Sequence, residues 1–190
     1  FFRNPTEEYD ENLINGYHAT LSNSIFRNNI FNAGFSLFEL GFASISMLNC
    51  LFESNWIVDL YKQDLISIEF YNVTFRYNTL APTLNLLFSA LRDTVEIYRF
   101  EDLTFDSNQI YFQTKDSYMF TLLPNYQNKS LKKITLKNNR LFNNLTNSRV
   151  SFFSFTNVQT TLKDITIIQD ELQPLQSLFE IVTSTVTLEN

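Results

Sequence analysis

The chain is poor in the residues on which many small catalytic and disulfide-bonded domains depend. Its 190 residues include one cysteine (Cys50), one histidine (His18), three glycines and four prolines. A single cysteine excludes an internal disulfide framework and a cysteine-ligated zinc site. Three glycines disfavour glycine-rich loops that hold phosphate groups. His18 has no second histidine to join it, so we expect neither a metal site nor a cofactor.

Basic residues and long apolar runs are also scarce. Fourteen Lys and Arg stand against twenty Asp and Glu, for a net charge of −6. Nucleic-acid binding by phosphate neutralisation needs clustered cations, and only Lys129, Lys132 and Lys133 approach such a cluster, so we expect no nucleic-acid partner. No apolar run has the length of a bilayer-spanning helix, so no membrane span is expected in this segment. The chain begins without an initiator methionine and its repeat breaks off at the far end, so we expect a piece of a longer protein or a processed product.

What the chain has in abundance is phenylalanine, of which there are 20, arranged in a repeat. A nine-residue phrase recurs six times: apolar, any, Asn or Asp, any, any, apolar, any, any, Asn or Asp. Repeats at periods of about 20–50 residues indicate a structural unit that stacks on its neighbours. The predicted columns are a first polar column (Asn23, Asn49, Asn72, Asp102, Asn138 and Asp164), a second polar column (Asn29, Asn55, Asn78, Asn108, Asn144 and Asp170) and an apolar column between them (Phe26, Phe52, Phe75, Phe105, Leu141 and Ile167).

In each phrase, apolar and polar residues alternate as they do in two strands joined by a bend. Ile66, Ile68 and Phe70 alternate before Asn72, and Val73 and Phe75 alternate after it. The phase slips at Asn72, where Asn tolerates the left-handed conformation that a β-branched residue does not. A further strand is predicted later in each repeat: Phe35–Leu40, Trp56–Leu60, Leu84–Ala90, Met119–Leu123, Phe152–Thr156 and Leu178–Val182.

This pattern predicts an all-β, single-stranded parallel β-helix, a solenoid of about six coils with three strands each. The repeats occupy residues 19–190, with longer loops near 109–118 and 124–131 and a shorter one at Thr79–Thr83, and residues 1–18 form an N-terminal cap or partial coil. A leucine-rich repeat is the main alternative fold, but its second half is usually helical, whereas the corresponding segments here are extended.

Parallel stacking places the members of one column about 4.8 Å apart. The apolar column then forms a continuous core stack, and amides in the two polar columns can hydrogen-bond as ladders. In neither polar column are two Asp residues neighbours, so an Asn amide can donate to each carboxylate.

The recurring Phe-x-x-Asn, at Phe26–Asn29, Phe52–Asn55, Phe75–Asn78 and Phe105–Asn108, resembles the repeat of pectin-lyase-like right-handed parallel β-helices. It is most similar to the FxxN-type repeats of polymorphic outer-membrane passenger domains and of large protist surface proteins. The resemblance implies a right-handed coil and either a surface-exposed stalk or adhesin, or a polysaccharide-processing enzyme.

We therefore expect a non-catalytic structural or adhesive segment of a larger cell-surface or extracellular fibre-forming repeat protein. Its partners would be further coils of the same chain or end-to-end copies of itself, and possibly surface glycans. The alternative functions are a polysaccharide lyase or hydrolase of this fold and, compatible with the unpaired cysteine, an intracellular scaffold.

No residue is assigned a catalytic or metal-binding role. Glu53, Arg76 and Asp106 are predicted to stack as a solvent-facing ion-pair ladder rather than as a catalytic face. We expect His18 to be an ordinary end-of-stack residue, Cys50 to be a buried apolar residue and Trp56 to pack in the core rather than stack on sugar. The chain has three N-glycosylation sequons. If the protein is secreted, we expect a glycan at Asn128 first, then at Asn144 and last at Asn72.

Overall fold

The structure is a computed structural model that describes residues 18–31, 44–58, 67–81, 86–88, 97–112, 117–123, 126, 129–143, 150–168 and 176–189. All regular structure in these residues is β-strand. Every strand pair in these residues is parallel and joins strands of successive repeats. The fold is therefore an all-β parallel solenoid, which confirms the predicted fold class.

The solenoid has three sheets. The first contains β1 (His18–Ser22), β2 (Ile25–Arg27), β4 (Ser44–Glu53), β6 (Ser67–Arg76), β9 (Ile97–Asp106), β12 (Lys129–Lys137), β15 (Gln159–Lys163), β16 (Thr166–Ile168) and β18 (Thr185–Glu189). The second contains β3 (Ile30–Phe31), β5 (Trp56–Ile57), β7 (Thr79–Leu80), β10 (Gln109–Phe112) and β13 (Arg140–Asn143). The third contains β8 (Leu86–Phe88), β11 (Ser117–Leu122), β14 (Val150–Thr156) and β17 (Gln176–Val182).

The expected count of six coils is too high for the part that the structure describes. The third sheet has four strands, so about four turns are seen with strands on that side. The predicted strand Phe35–Leu40 lies outside the described residues. The predicted strand Trp56–Leu60 is wrong in position, because Trp56–Ile57 forms β5 of the second sheet.

The second sheet itself was missed by the sequence pattern. Its strands are two to four residues long and follow directly after a corner. At Thr79–Leu80 and Gln109–Phe112 the pattern predicted loops instead. The predicted loop near 109–118 is wrong over Gln109–Phe112 and from Ser117 onward, and the loop near 124–131 ends where β12 begins at Lys129. Strands of two residues are too short to show alternation, so only pairing between coils reveals them. The proposed cap, residues 1–18, lies outside the described part except for His18.

The long strands of the first sheet bend where the phase of the sequence slips. The bend residues Asn23, Asn49, Asn72, Asp102 and Asp164 all have φ between 50° and 58°. The following corner also uses the left-handed region, at Asn28, Ser54, Tyr77, Ser107 and Asn138. A left-handed residue costs about 1–2 kcal/mol for most side chains and less for Asn or Asp, which explains their frequency at the bend.

The coil that contains β12, formed by the fifth repeat of the sequence and called here the fifth coil, is shifted by five residues from the predicted alignment. Phe100 pairs with Leu131, Leu103 with Ile134, and Phe105 with Leu136. This register puts Lys133, with φ of 51°, in the first polar column in place of Asn138. It puts Leu136 in the apolar column in place of Leu141, which instead lies buried in the second sheet opposite Ile110.

The core is built from inward-facing columns. Phe26, Phe52, Phe75 and Phe105 stack nearly parallel, with ring centroids 4.9, 4.7 and 4.8 Å apart between successive members. Leu136 and Ile167 continue this column through backbone pairing. A second aromatic column, Phe120, Phe153 and Phe179, comes from the third sheet, and its centroids are 5.2 and 5.5 Å apart. Like residues therefore pack on like residues along the coil axis.

Replacing Lys133 by Asn should stabilise the protein. Lys133 occupies a left-handed position that three other coils fill with Asn and two with Asp, so the substitution removes part of a conformational penalty. We expect the free energy of unfolding to rise by about 0.5–1 kcal/mol in urea titrations followed by circular dichroism. Lys163→Asn, an exposed change within a strand, is the control and should give no gain. A loss of stability for Lys133→Asn would contradict the register of the fifth coil.

Candidate functional site

The most organised polar feature is a column of asparagines, buried except at its first described member, at the corner between the first and second sheets. In the described residues it contains Asn29, Asn55, Asn78, Asn108 and Asn139. The amide nitrogen Nδ2 of each of the first four donates to Oδ1 of the next asparagine at 3.0–3.1 Å. The backbone N–H of the same residue donates to the same oxygen at 2.9–3.1 Å.

The second hydrogen of each amide is used as well. Nδ2 of Asn55, Asn78, Asn108 and Asn139 donates at 2.9 Å to the backbone carbonyl of the column phenylalanine of the preceding coil: Phe26, Phe52, Phe75 and Phe105 respectively. An interior asparagine such as Asn78 thus donates twice and accepts twice. This matches the full capacity of a carboxamide, which has two donors and one oxygen with two lone pairs.

This buried ladder differs from the predicted second column at one position. Asn139, not Asn144, accepts from Asn108, because the register of β12 places Asn139 three residues after Leu136. Asn144 and Asp170 lie outside the described residues. Asn55, Asn78, Asn108 and Asn139 are almost completely buried, so the ladder satisfies polar groups that would otherwise be costly inside the protein.

The first polar column lies on the outside. Nδ2 of Asn49 donates to Oδ1 of Asn23 at 3.1 Å, and Nδ2 of Asn72 donates to Oδ1 of Asn49 at 2.8 Å. Asp102, Lys133 and Asp164 continue the column by register. Asn138, predicted for this column, instead occupies the corner column one residue before the buried ladder.

Charged side chains on the outer face of the first sheet form alternating columns. Glu53 pairs with Arg27 on one side and with Arg76 at 2.7 Å on the other. Asp106, opposite Arg76 in register, pairs with Lys137 at 3.8 Å. The predicted stack of Glu53, Arg76 and Asp106 is therefore present in the backbone register, and Arg27 and Lys137 extend it at both ends.

Two further pairs lie on the other half of the same face. Arg99 Nη1 contacts Glu69 Oε2 at 3.1 Å, and Lys132 Nζ contacts Glu101 Oε1 at 2.9 Å. Both pairs join strands of neighbouring coils, as cross-strand charge pairs do in sheets. All these pairs are partly exposed, so each contributes little to stability by itself.

The pairs change the acidity of two carboxyl groups. The hydrogen bond from Arg76 is the main cause that lowers the pKa of Glu53, against partial desolvation, and the charges of Arg76 and Arg27 add to the lowering. The hydrogen bond from Lys132 is likewise the main cause that lowers the pKa of Glu101. Glu101 in turn raises the pKa of Lys132. A general acid near neutral pH needs a raised carboxyl pKa, which is the opposite shift.

Three single residues were singled out in the sequence. His18 is the first residue of β1. Cys50 is buried and its Sγ lies 3.4 Å from the carbonyl oxygen of Leu48, in the apolar column of Val73 and Leu103, as predicted. The expectation that Trp56 packs in the core is wrong, because 49% of its surface is exposed. Trp56 begins the short strand β5 and its ring lies on the outer side of that strand; the pattern predicted a strand here, but one that faces the core.

Of the three sequons, the structure describes only Asn72. Its side chain is exposed, and its amide donates to Asn49. Asn128 and Asn144, the two ranked higher, lie outside the described residues. In the part of the chain that the structure describes, no group of three or more His, Cys, Asp and Glu could hold a metal ion. Nor do these residues contain a helix of the length and hydrophobicity that crossing a membrane would need.

Comparison with family models, with curated protein sequences and with solved structures finds no match for this chain. The assignment of a function consequently depends on the geometry of the chain itself.

Asn78→Asp should strongly destabilise the protein. The carboxylate lacks the two N–H donors that now reach Phe52 and Asn108, so it would face two oxygens inside the protein. We expect a loss of about 3 kcal/mol or more in the free energy of unfolding at pH 7. Asn49→Asp is the matched control in the exposed column and should cost less than about 1 kcal/mol. Equal losses at the two positions would contradict a buried ladder.

Stability should fall on acidification, and Glu53→Gln should weaken that dependence. Because the folded-state pKa of Glu53 lies below the ordinary value of 4.5, its stabilising contribution is complete above that value. It is lost as the pH falls through the folded pKa. Urea titrations between about pH 5 and pH 3 should show a shallower slope for the variant. Glu189→Gln, an exposed change on β18, should alter the slope less, and an unchanged slope for Glu53→Gln would contradict the effect of its two arginines.

Proposed function

We propose that this chain is a non-catalytic structural or adhesive segment of a larger cell-surface or extracellular fibre-forming repeat protein. The observation that carries the proposal is the direction of the stabilising contacts. The phenylalanine column, the buried ladder and the charge columns all run along the coil axis and join each coil only to its neighbours. Such a solenoid gains stability by adding coils, which suits a rod.

The ends of the described stack support continuation by more of the same structure. β17 and β18 are the outermost strands of their sheets in the described part. Ile168, Ile181, Val182 and Leu188, which belong to the last coils, expose apolar surface there. Exposed strand edges of this kind favour pairing with another strand. We propose that further coils of the same chain, or end-to-end copies of it, cover this end.

The state of the carboxyl groups favours a structural over an enzymatic function. Glycoside hydrolysis needs two carboxyl groups that face one cleft, one of them kept protonated. Glu53, Asp106 and Glu101 on the outer face are each engaged by Arg or Lys. Their columns therefore act as cross-strand ion pairs, and the polysaccharide lyase or hydrolase alternative gains no support from this face.

We further propose kinship with pectin-lyase-like β-helices of the FxxN type. The support is the role of the two residues in the motif: the phenylalanine stacks on its equivalents, and the asparagine three residues later enters the buried ladder. Kinship of this kind would place the protein on a cell surface or outside the cell, where a glycan on one of the sequons, in the order Asn128, Asn144, Asn72, would be expected.

The proposal is tested on the native protein with an antibody raised against this chain. Intact cells would be labelled with a membrane-impermeant biotin reagent, and the immunoprecipitated polypeptide would be measured by mass spectrometry before and after enzymatic removal of N-glycans. We expect a biotinylated polypeptide longer than the 22.3 kDa chain. An unlabelled intracellular polypeptide of 22.3 kDa would contradict the proposal.

A further inference from the structure

The outer face of the first sheet carries an N-glycosylation sequon beside exposed apolar surface. The sequon is Asn72-Val73-Thr74 in β6, and its asparagine is exposed. Tyr71, the residue before it, is 49% exposed, and Leu48, which pairs with Tyr71 in register on the neighbouring strand, is 39% exposed. The acceptor asparagine and two exposed apolar side chains therefore lie side by side.

The bend in β6 brings the aromatic ring and the amide to the same side of the sheet. Consecutive residues of a regular strand point to opposite faces. At Asn72, a φ of 51° breaks this alternation. Tyr71 and Asn72 are consequently both exposed, between the buried residues Phe70 and Val73. The ring of Tyr71 thus lies on the solvent side together with the amide of the sequon.

The amide of Asn72 has a hydrogen to spare for a covalent bond. A carboxamide nitrogen carries two hydrogens, and in the described residues Nδ2 of Asn72 donates once, to Oδ1 of Asn49 at 2.8 Å. An N-linked sugar replaces one hydrogen and leaves the other for that bond. In the buried ladder, by contrast, Nδ2 of Asn78 uses both hydrogens, one for Phe52 and one for Asn108. The outer column can therefore carry a glycan where the buried ladder cannot.

The neighbouring side chains fit the first sugar of such a glycan. One face of an N-acetylglucosamine ring presents C–H groups and the N-acetyl group ends in a methyl, and both pack favourably on an aromatic ring. Tyr71 offers that ring, and Leu48 extends the apolar surface toward the preceding coil. Apolar surface gains stability when it is removed from water. A glycan on Asn72 is tethered beside both side chains, so the sequon itself specifies the group that covers them.

We propose that Asn72 carries an N-linked glycan whose first N-acetylglucosamine packs on Tyr71 and Leu48. The donor is a lipid-linked oligosaccharide diphosphate: a bond forms between Nδ2 and C1 of the sugar as the C1–O bond to the diphosphate breaks. Nδ2 loses one proton, and the lipid diphosphate leaves with the electron pair. This site rests on the proposed extracellular function, because donor and transferase belong to the secretory pathway. It adds a role for the glycan, which is to stabilise the sheet that bears it.

Occupancy is tested on the full chain secreted from eukaryotic cells behind an added signal peptide. The chain carries Asn128→Gln and Asn144→Gln, so that Asn72 is the single remaining sequon. Trypsin releases the peptide 63–76, and its mass reports whether Asn72 is modified. We expect a glycan on this peptide. An unmodified peptide from the secreted chain would overturn the proposal.

Packing of the sugar is measured by thermal unfolding of the glycosylated chain and of the same chain made in bacteria without glycan. An endoglycosidase first trims the glycan to a single N-acetylglucosamine, which removes the effects of the outer sugars. We expect the sugar to raise Tm by about 2–4 °C, as one aromatic contact would in a chain of this length. In Tyr71→Ala the gain should fall below about 1 °C, because the ring that the sugar covers is absent.

Lys133→Asn combined with Asn72→Gln is the matched control. It moves the sequon two coils along the axis within the same polar column, since Thr135 lies two residues after position 133. The residue before the new acceptor position is Lys132, which pairs with Glu101 at 2.9 Å. A sugar there meets a charged pair instead of an aromatic ring. It should change Tm by less than about 1 °C relative to the same variant from bacteria.

Three results would overturn the packing: an equal Tm with and without the sugar, a gain that persists in Tyr71→Ala, or an equal gain in the control with the displaced sequon. All are measured on chain that the added signal peptide directs into the secretory pathway. They therefore test the site itself, whereas surface labelling of intact cells tests where the native polypeptide resides. An intracellular native polypeptide would refute the proposed function even if the sugar packs as expected.

Discussion

Parallel pairing of each strand with the strand at the same place in the next coil is the constraint on which the rest of the structure depends. It brings every residue within about 4.8 Å of its own equivalent, so each column must be compatible with itself. Apolar columns meet this condition directly, as the stacked rings of Phe52, Phe75 and Phe105 show. Charged columns meet it by alternating sign, as Arg27, Glu53 and Arg76 do.

Asparagine meets the same condition in the interior, where a charge could not. Its carboxamide has both donors and an acceptor, so a column of identical residues can hydrogen-bond along its whole length. In the buried ladder the amides of Asn55, Asn78, Asn108 and Asn139 also close the corner between two sheets, because each donates to the carbonyl group of a core phenylalanine. The pair of residues three apart in the repeat, Phe and Asn, thus works as one unit that fixes both the core and the corner.

Much of this was predictable from the residues. Because the residues stacked in one column must be able to pack on or hydrogen-bond to each other, similar residues recur at matching positions of the repeats. The fold class, the left-handed bend at Asn72 and the third-sheet strands near Met119 and Phe152 follow from alternation and its phase slips. The fifth coil was misaligned because Lys133 fills the bend, while Asn138 five residues later fits the same pattern. The backbone pairing and the Asn139 amide decide between the two registers, and neither is visible in a single repeat. The near-constant intervals from Asp102 to Lys133 and from Lys133 to Asp164, 31 residues each (133−102 and 164−133), could have indicated the correct one.

The short second sheet escaped prediction for a related reason. Strands such as Thr79–Leu80 have almost no local pattern and exist because the coils on both sides pair with them. Because side chains alternate between the two faces of a strand, half of those in this sheet point outward, and Trp56 is one of these instead of a core residue. The exposure of Trp56 is therefore a consequence of pairing between coils, not of a motif.

The most direct test of the account is hydrogen exchange of the asparagine side-chain amides, followed by nuclear magnetic resonance on isotope-labelled protein. The Nδ2 protons of Asn55, Asn78 and Asn108 should exchange with solvent far more slowly than those of Asn72, because these three amides are buried and each donates two hydrogen bonds. If all four exchanged at the same rate, the buried ladder would not exist in solution, and the basis for the corner and the stacking of coils would be lost.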